Sequence, residues 1–303
     1  MGGVSTSRFE FDAIGTSWEI DTPAPVGAEI RRRVLELVDR FDSVYSRFRD
    51  GSLITRIAEA ENGGTFEFPP EAAAMFDLYD QLHEATDGAV DPLIGRDLEL
   101  LGYDREYSLI PALSEIATYA IRRPRWDRDV VREGGTIVTR RPLVIDLGAV
   151  GKGCLVDLTA RLLEIDGVED FVVDGSGDML HRGDKVLDVG LEHPLDPTMV
   201  VGVARLRNAS LCASAINRRR WGDGLHHVLD ARSGAPVNDV LATWVVSADT
   251  ATADALATAL FFGPASRLTA SFDFTFVRMF ADGRVEVSGN FDGGSLHLRK
   301  EIP

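Results

Sequence analysis

"LVIDLGAVGKGCLVDLTARLLEI", residues 143–165, reads as a buried apolar strand that runs into a glycine-rich turn and then into a helix. Such a junction leaves backbone N–H groups and the positive helix end facing whatever binds there, and Lys152 adds a full charge. The arrangement suits a phosphate. The spacing is not the GxxxxGK[ST] of nucleotide triphosphate loops, so a purely structural turn is the competing reading.

Upstream, "GGTIVTRRPLVIDLG", residues 134–148, is expected to form a hairpin whose second strand enters those glycines. Residues 8–21 alternate apolar and polar on either side of Gly15, as one strand with a bulge or a close backbone approach would. Ile30, Val34, Leu37, Val38 and Phe41 recur at helical spacing and predict an amphipathic helix over 28–45. A second helix is predicted within 68–88, where Met75, Phe76, Tyr79 and Leu82 form a stripe that Gly88 stops. Between about 104 and 135 the pattern weakens around Pro111, Pro124 and the basic run Arg122–Arg128, and an irregular surface segment is expected. Downstream, residues 170–181, 185–194 and 199–215 read as strands with turns. A strand over 240–248, a helix over 251–262 and two strands around Asp282-Gly283 complete the pattern.

Of the 303 residues 45% are hydrophobic and 26% charged, a globular balance long enough to bury a large core. The formal charge of −16 argues against a nucleic-acid groove, which needs a basic footprint, so an anionic substrate requires local cations or a metal. Cys154 and Cys212 are far apart and outside any CxxC pattern, which points away from a disulfide framework and from a thiolate metal cluster. The first twenty residues carry no secretory pattern and no long apolar stretch occurs, so a cytoplasmic location without membrane insertion is expected. Gly2 after Met1 matches only the first letters of a myristoylation start.

Three stretches carry candidate chemistry. In "TATADALATALFF", residues 250–262, Asp254 and Thr258 stand four apart on one helix face in an otherwise small and apolar run. They are either a backbone-bonding pair or part of an oxygen site for a hard cation, completed by a carbonyl, water and phosphate oxygens as magnesium prefers. In "GLHHVLDARSGAPV", residues 224–237, His226 and His227 fall on a strand, point to opposite faces and so do not readily share one metal; one can serve acid–base work. Asp87 and Asp91 flank the turn of "TDGAVDP", residues 86–92, where carboxylates also serve as turn caps.

Taken in order, "FDAIGTSWEI", "YSRFRDGSLITRI", "TDGAVDPLIG", "LVIDLGAVGKGCLVDLTARLL", "HHVLDARSGAPV" and "ADALATALFF" resemble the flavin transferase (ApbE) family of FAD:protein FMN transferases. The resemblance spans about residues 9–288. It implies an α+β, two-lobed fold of mixed and antiparallel sheets with packed helices and a central cofactor cleft, one domain over 1–303. It also implies FAD as substrate, magnesium or manganese at its pyrophosphate, and transfer of FMN to a Thr or Ser hydroxyl of an acceptor flavoprotein with release of AMP. Matched position by position, Ile14, Phe48, Ala89, Val90, Asp91, Asp146, Lys152 and Leu229 fall on flavin-nucleotide contacts. Ala149, through its carbonyl, Asp254 and Thr258 fall on the metal ligands.

His227 is the candidate base for the incoming hydroxyl, with Asp230 as its orienter. Phe48 is expected to cover the isoalloxazine, against the plain alternative of a core phenylalanine.

This chain departs from the family at Ile14, at "VVDGSGD" and at "ASAINRRRW", the last two near the substrate cleft. An FAD pyrophosphatase and a non-catalytic FAD-binding protein are the rival readings. No acceptor motif of the family's kind is evident in the chain, so a separate acceptor is expected, with Arg218–Trp221 either docking it or forming a solvated loop. The sequence leaves the oligomeric state open.

Overall fold

The computed structural model describes residues 6–294. Gly2 and its match to a myristoylation start lie outside them. Where one bulged strand was expected, Ser7–Ala13 (β1) and Thr16–Thr22 (β2) form a hairpin, Ala13 facing Thr16 across a two-residue turn. Ile14 at φ 43 and Gly15 at φ 76 give the left-handed pair that a type I′ turn requires. A two-residue loop preserves the apolar alternation on both sides, which is why the two strands read as one. A β-branched residue at positive φ is unfavourable by about 1–3 kcal/mol, and Ile14 sits at the cleft described below.

Helix α1 (Ala28–Tyr45) buries Val34, Leu37, Val38 and Phe41 of its predicted stripe and adds Tyr45, while Ile30 is half-buried. It is followed by α2 (Leu53–Glu59), capped by the Ser52 hydroxyl accepting from Thr55 N at 3.0 Å, then β3 (Gly64–Glu67) and α3 (Ala72–Ala85). Asp91 caps a 3-10 turn over Pro92–Ile94 that leads into α4 (Gly95–Leu100).

The expected irregular segment contains α5 (Leu113–Ala120), α6 (Trp126–Asp129) and β4 (Val130–Glu133). Its pattern is weak because α5 buries no residue. The expected hairpin over 134–148 is displaced: β4 pairs with β5 (Thr136–Thr139) around Gly134-Gly135, and β5 pairs also with β3. Leu143, Ile145 and Leu147 are buried, but residues 140–147 belong to no ladder; Asp146 N donates instead to the Pro92 carbonyl at 2.7 Å.

Beyond α7 (Gly151–Ile165) come β6 (Phe171–Asp174), β7 (Asp178–Arg182), β8 (Leu187–His193), β9 (Asp196–Leu206) and β10 (Ser210–Ala215). The histidine stretch is not one strand. It divides into β12 (Leu225–His226), which pairs with β11 (Arg220–Trp221), and β13 (Leu229–Asp230), which pairs with β14 (Ala235–Pro236). The chain continues through β15 (Val240–Ser247), α8 (Thr250–Ala259), α9 (Ala265–Leu268), β16 (Thr275–Phe280), β17 (Val285–Val287) and β18 (Gly293–Gly294).

The fold is α+β. Its main sheet runs β1-β2-β6-β7-β10-β15-β16-β17, and every ladder among the described residues is antiparallel. Strand β15 divides its side chains by parity: Val245 joins the core under α1, α3, α7 and α8, while Ala242 and Trp244 join a second core under the small sheet β18-β9-β8.

Helices α7 and α8 meet backbone to backbone. A Cβ on Gly153 would lie 2.3 Å from the Thr250 carbonyl oxygen, so this position of the glycine-rich turn admits no side chain. Asp157 of α7 accepts from Thr250 N at 2.9 Å and Ala251 N at 2.8 Å, and Asp249 accepts from Thr252 N at 2.8 Å, so α8 starts with its N–H groups satisfied from two directions.

Candidate active site

Two joined cavities, of about 630 and 540 Å³, open between α1, the segment 86–109, the start of α7, the loop 213–229 and α8. They share Gly15, Tyr103, Asp146, Gly148, Lys152 and Arg219 as a common wall. The larger is aromatic. Phe48 lies parallel to Tyr107 at 5.3 Å between ring centroids and edge-on to Tyr103 at 5.6 Å, and Tyr103 stacks on Trp221 at 5.6 Å. The Arg47 guanidinium sits 4.0 Å over the Phe48 ring and its Nε donates to Asp146 at 2.6 Å. Burial alone would push the Asp146 carboxyl up, but Arg47 and the Gly148 N–H hold it below the usual carboxylate range. Arg47 is 5% exposed, so this pair is a buried one and fixes the floor between the two cavities.

The second cavity carries the charge. Lys152, in the first turn of α7, forms an ion pair with the fully buried Asp178 of β7. Burial would favour the neutral amine, yet the Asp178 and Asp254 carboxyls raise its affinity for the proton, so Lys152 stays an ammonium. On α8, Asp254 is 4% exposed and accepts from Gly153 N at 3.0 Å. Its carboxyl is pushed up to about 8, first by burial and then by the Asp178 charge. Two buried carboxyls thus share one ammonium.

Ala149 and Thr258 line the same cavity. Among the described residues no cluster of three His, Cys, Asp or Glu side chains is placed to hold a metal. A hard cation here would therefore take one carboxylate, one hydroxyl and a backbone carbonyl, and complete its shell with water or phosphate oxygens. That donor set suits magnesium, and a divalent charge would relieve the excess of carboxyl over ammonium.

The two histidines separate, but not by strand alternation: β12 ends at His226 and His227 lies in the bend before β13. His226 is buried away from the cleft, its Nδ1 accepting from Val228 N at 3.3 Å, whereas His227 lines the charged cavity. Burial, then the Arg219 charge, holds the His227 imidazole down to about 3, so it is neutral near pH 7. Its Nδ1 has no hydrogen-bond partner among the described residues.

Asp230 does not orient it. Its carboxylate is taken by Arg232, through backbone N at 2.9 Å and the guanidinium, and it lines neither cavity. The turn after β13 draws that side chain outward to cap residues 230–234.

Ile14 and Phe48 line the aromatic cavity; Ala89, Val90, Asp91 and Leu229 line the charged one; Asp146 and Lys152 line both. Both Asp91 oxygens are committed to the frame, Oδ1 accepting from Leu93 N at 2.8 Å and Oδ2 from Trp126 N at 3.0 Å. Arg47, Tyr103, Tyr107, Asp178 and Arg219 were not picked out as site residues by sequence reasoning. Asp178 closes "VVDGSGD" and Arg219 sits in "NRRRW", stretches flagged only as departures or as surface.

The signature of the ApbE family matches residues 14–273. The chain belongs to the ApbE family. The FAD:protein FMN transferase of Rhodobacter capsulatus is 28% identical over 263 residues, 82% of this chain and 50% of that protein, so the chain spans half the length of that relative. The Escherichia coli K12 protein of the same name is 26% identical over 261 residues, 80% of this chain and 74% of its own. The ApbE protein of Thermotoga maritima superposes with a TM-score of 0.81 at 25% identity, covering 94% of this chain and 97% of its own. Flavin transferase ApbE from Vibrio cholerae superposes with a TM-score of 0.81 at 19% identity, covering 95% of this chain and 98% of its own, a likeness of fold.

Proposed function

We propose that this ApbE chain transfers the FMN half of FAD to a Thr or Ser hydroxyl of an acceptor flavoprotein and releases AMP. The observation that carries the reading is the pairing of cavities: an aromatic one suited to a planar ring joins, across Lys152 and Arg219, one that holds the excess buried carboxyl and a neutral histidine. A dinucleotide spans such a pair with its diphosphate at the junction.

Asp254, Thr258 and the Ala149 carbonyl would hold magnesium or manganese. When bound, that ion draws negative charge from the diphosphate and makes its phosphorus more open to attack. Phe48 offers its face to a flavin ring, Tyr107 having to yield that face on binding. Lys152 presents its ammonium at the junction, held there by Asp178. His227 accepts the hydroxyl proton at Nδ1 as the acceptor oxygen bonds to the FMN phosphorus; the bond from that phosphorus to the AMP oxygen breaks and AMP leaves with the electron pair. Its low proton affinity reflects burial and Arg219, and the two negative charges of the diphosphate offset the latter.

The test is incubation with FAD, magnesium and a flavoprotein subunit bearing the acceptor hydroxyl, with AMP followed by chromatography and bound flavin by fluorescence after denaturation. Stoichiometric AMP and protein-bound flavin are expected. AMP with free FMN alone would identify water as the acceptor, and no AMP would leave a binding protein.

A further inference from the structure

Most cations that line the cleft are already spent on carboxylates. Arg47 is paired with Asp146, Lys152 with Asp178, and Arg49 with Asp39 and Asp42; Arg218, beside them, is paired with Glu192. Arg219 has no carboxylate partner among the described residues, and it is a half-buried guanidinium rather than a solvated one. It lines both cavities, whereas its exposed neighbour Arg220 lines only the aromatic one. Its guanidinium is 5.8 Å from the centroid of Tyr103, itself clamped between Phe48 and Trp221, so an aromatic wall limits where the side chain can go. Its charge reaches His227, Asp146 and Asp254 alike. A half-buried, unpaired guanidinium where two cavities join is unfavourable unless the ligand supplies the anion.

We propose that Arg219 is the diphosphate clamp of this cleft, its planar fork bonding the phosphate oxygens at the junction of the cavities while Lys152 supplies only a point charge. The inference rests on the dinucleotide reading above. An arginine suits the task because its guanidinium matches two phosphate oxygens at once and stacks on an aromatic face, neither of which lysine does. The same guanidinium lowers the proton affinity of His227, so neutralising it with the diphosphate also makes His227 a better base.

Binding without turnover tests this. Flavin fluorescence titrations with FAD and with riboflavin, which has no phosphate, are made on the wild type and on Arg219→Gln and Arg219→Lys, with chelator present. Arg219→Gln is expected to weaken FAD by about 10- to 100-fold, the range for losing hydrogen bonds to a charged group, and to leave riboflavin within about 2-fold. Arg219→Lys should recover part of the loss. Unchanged FAD affinity in Arg219→Gln, or equal losses for FAD and riboflavin, would overturn the clamp and leave only packing on Tyr103. A wild type that binds neither ligand, in chelator or in magnesium, would instead sink the dinucleotide reading itself. Melting curves of both variants are read alongside; a loss of FAD affinity that vanishes when comparison is confined to folded protein also counts against the clamp.

Discussion

Asp254 carries a carboxyl that the fold alone does not reward. Its folded-state proton affinity, raised to about 8 by burial and by Asp178, exceeds that of an unfolded aspartate. From about pH 4 to pH 8 the folded chain therefore keeps a proton the unfolded chain has lost, and stability falls as pH rises through that window. Asp254→Asn keeps an oxygen for the Gly153 N–H and removes the penalty. In chelator its melting point should exceed the wild type's at pH 8 and converge with it near pH 4, while flavin transfer falls by about 100-fold or more. A variant less stable than wild type at pH 8 would make Asp254 structural.

His227 works in the opposite sense. Its folded-state affinity is depressed to about 3, so as pH falls from about 6.5 the unfolded chain takes up a proton first and the wild type loses stability. His227→Gln should lose less melting temperature between pH 6.5 and pH 4, and equal losses would contradict the half-buried, neutral ring. Asp254 and Thr258 were legible because a carboxylate in an apolar helix stands out. Asp178 and Arg219 were not, because only the β6–β7 turn and the loop before β11 bring them to Lys152 and Tyr103.

Helix α7 and helix α8 form the element on which the site depends, and their contact is set by a missing side chain. Gly153→Ala would drive a Cβ into the Thr250 carbonyl, and the helices must separate. We expect a loss of about 1–3 kcal/mol in denaturant unfolding, the usual range for overpacking. Weaker magnesium-dependent stabilisation should accompany it, because Gly153 N and Asp254 part together. An unchanged unfolding midpoint would show that the contact is looser than the geometry implies. Helices with a buried stripe, α1, α3 and α7, were legible at this scale. The β1–β2 turn was not, since its apolar alternation passes unbroken across Ile14-Gly15, and neither were the partners of β5, which are fixed by the register of β3 and β4 rather than by the nearest turn signal.

At the scale of the molecule, a chain of net charge −16 collects cations at one seam, where Lys152, Arg47 and Arg219 face a cleft floored by buried carboxyls. Composition showed the acidity and not the seam, because the seam is assembled from positions 47, 152 and 219, far apart along the chain. The ordered motifs showed the family because each supplies residues that line this cleft. No helix among the described residues is long and apolar enough to cross a membrane.

The proposed function requires Asp254, Thr258 and the Ala149 carbonyl to clasp a divalent ion beside the dinucleotide. Diffraction at the manganese edge from crystals grown with FAD and manganese addresses it directly. An anomalous peak at about 2.1 Å from those oxygens and touching the diphosphate is the predicted result; bound FAD with no peak there, or with the ion held elsewhere, would contradict it.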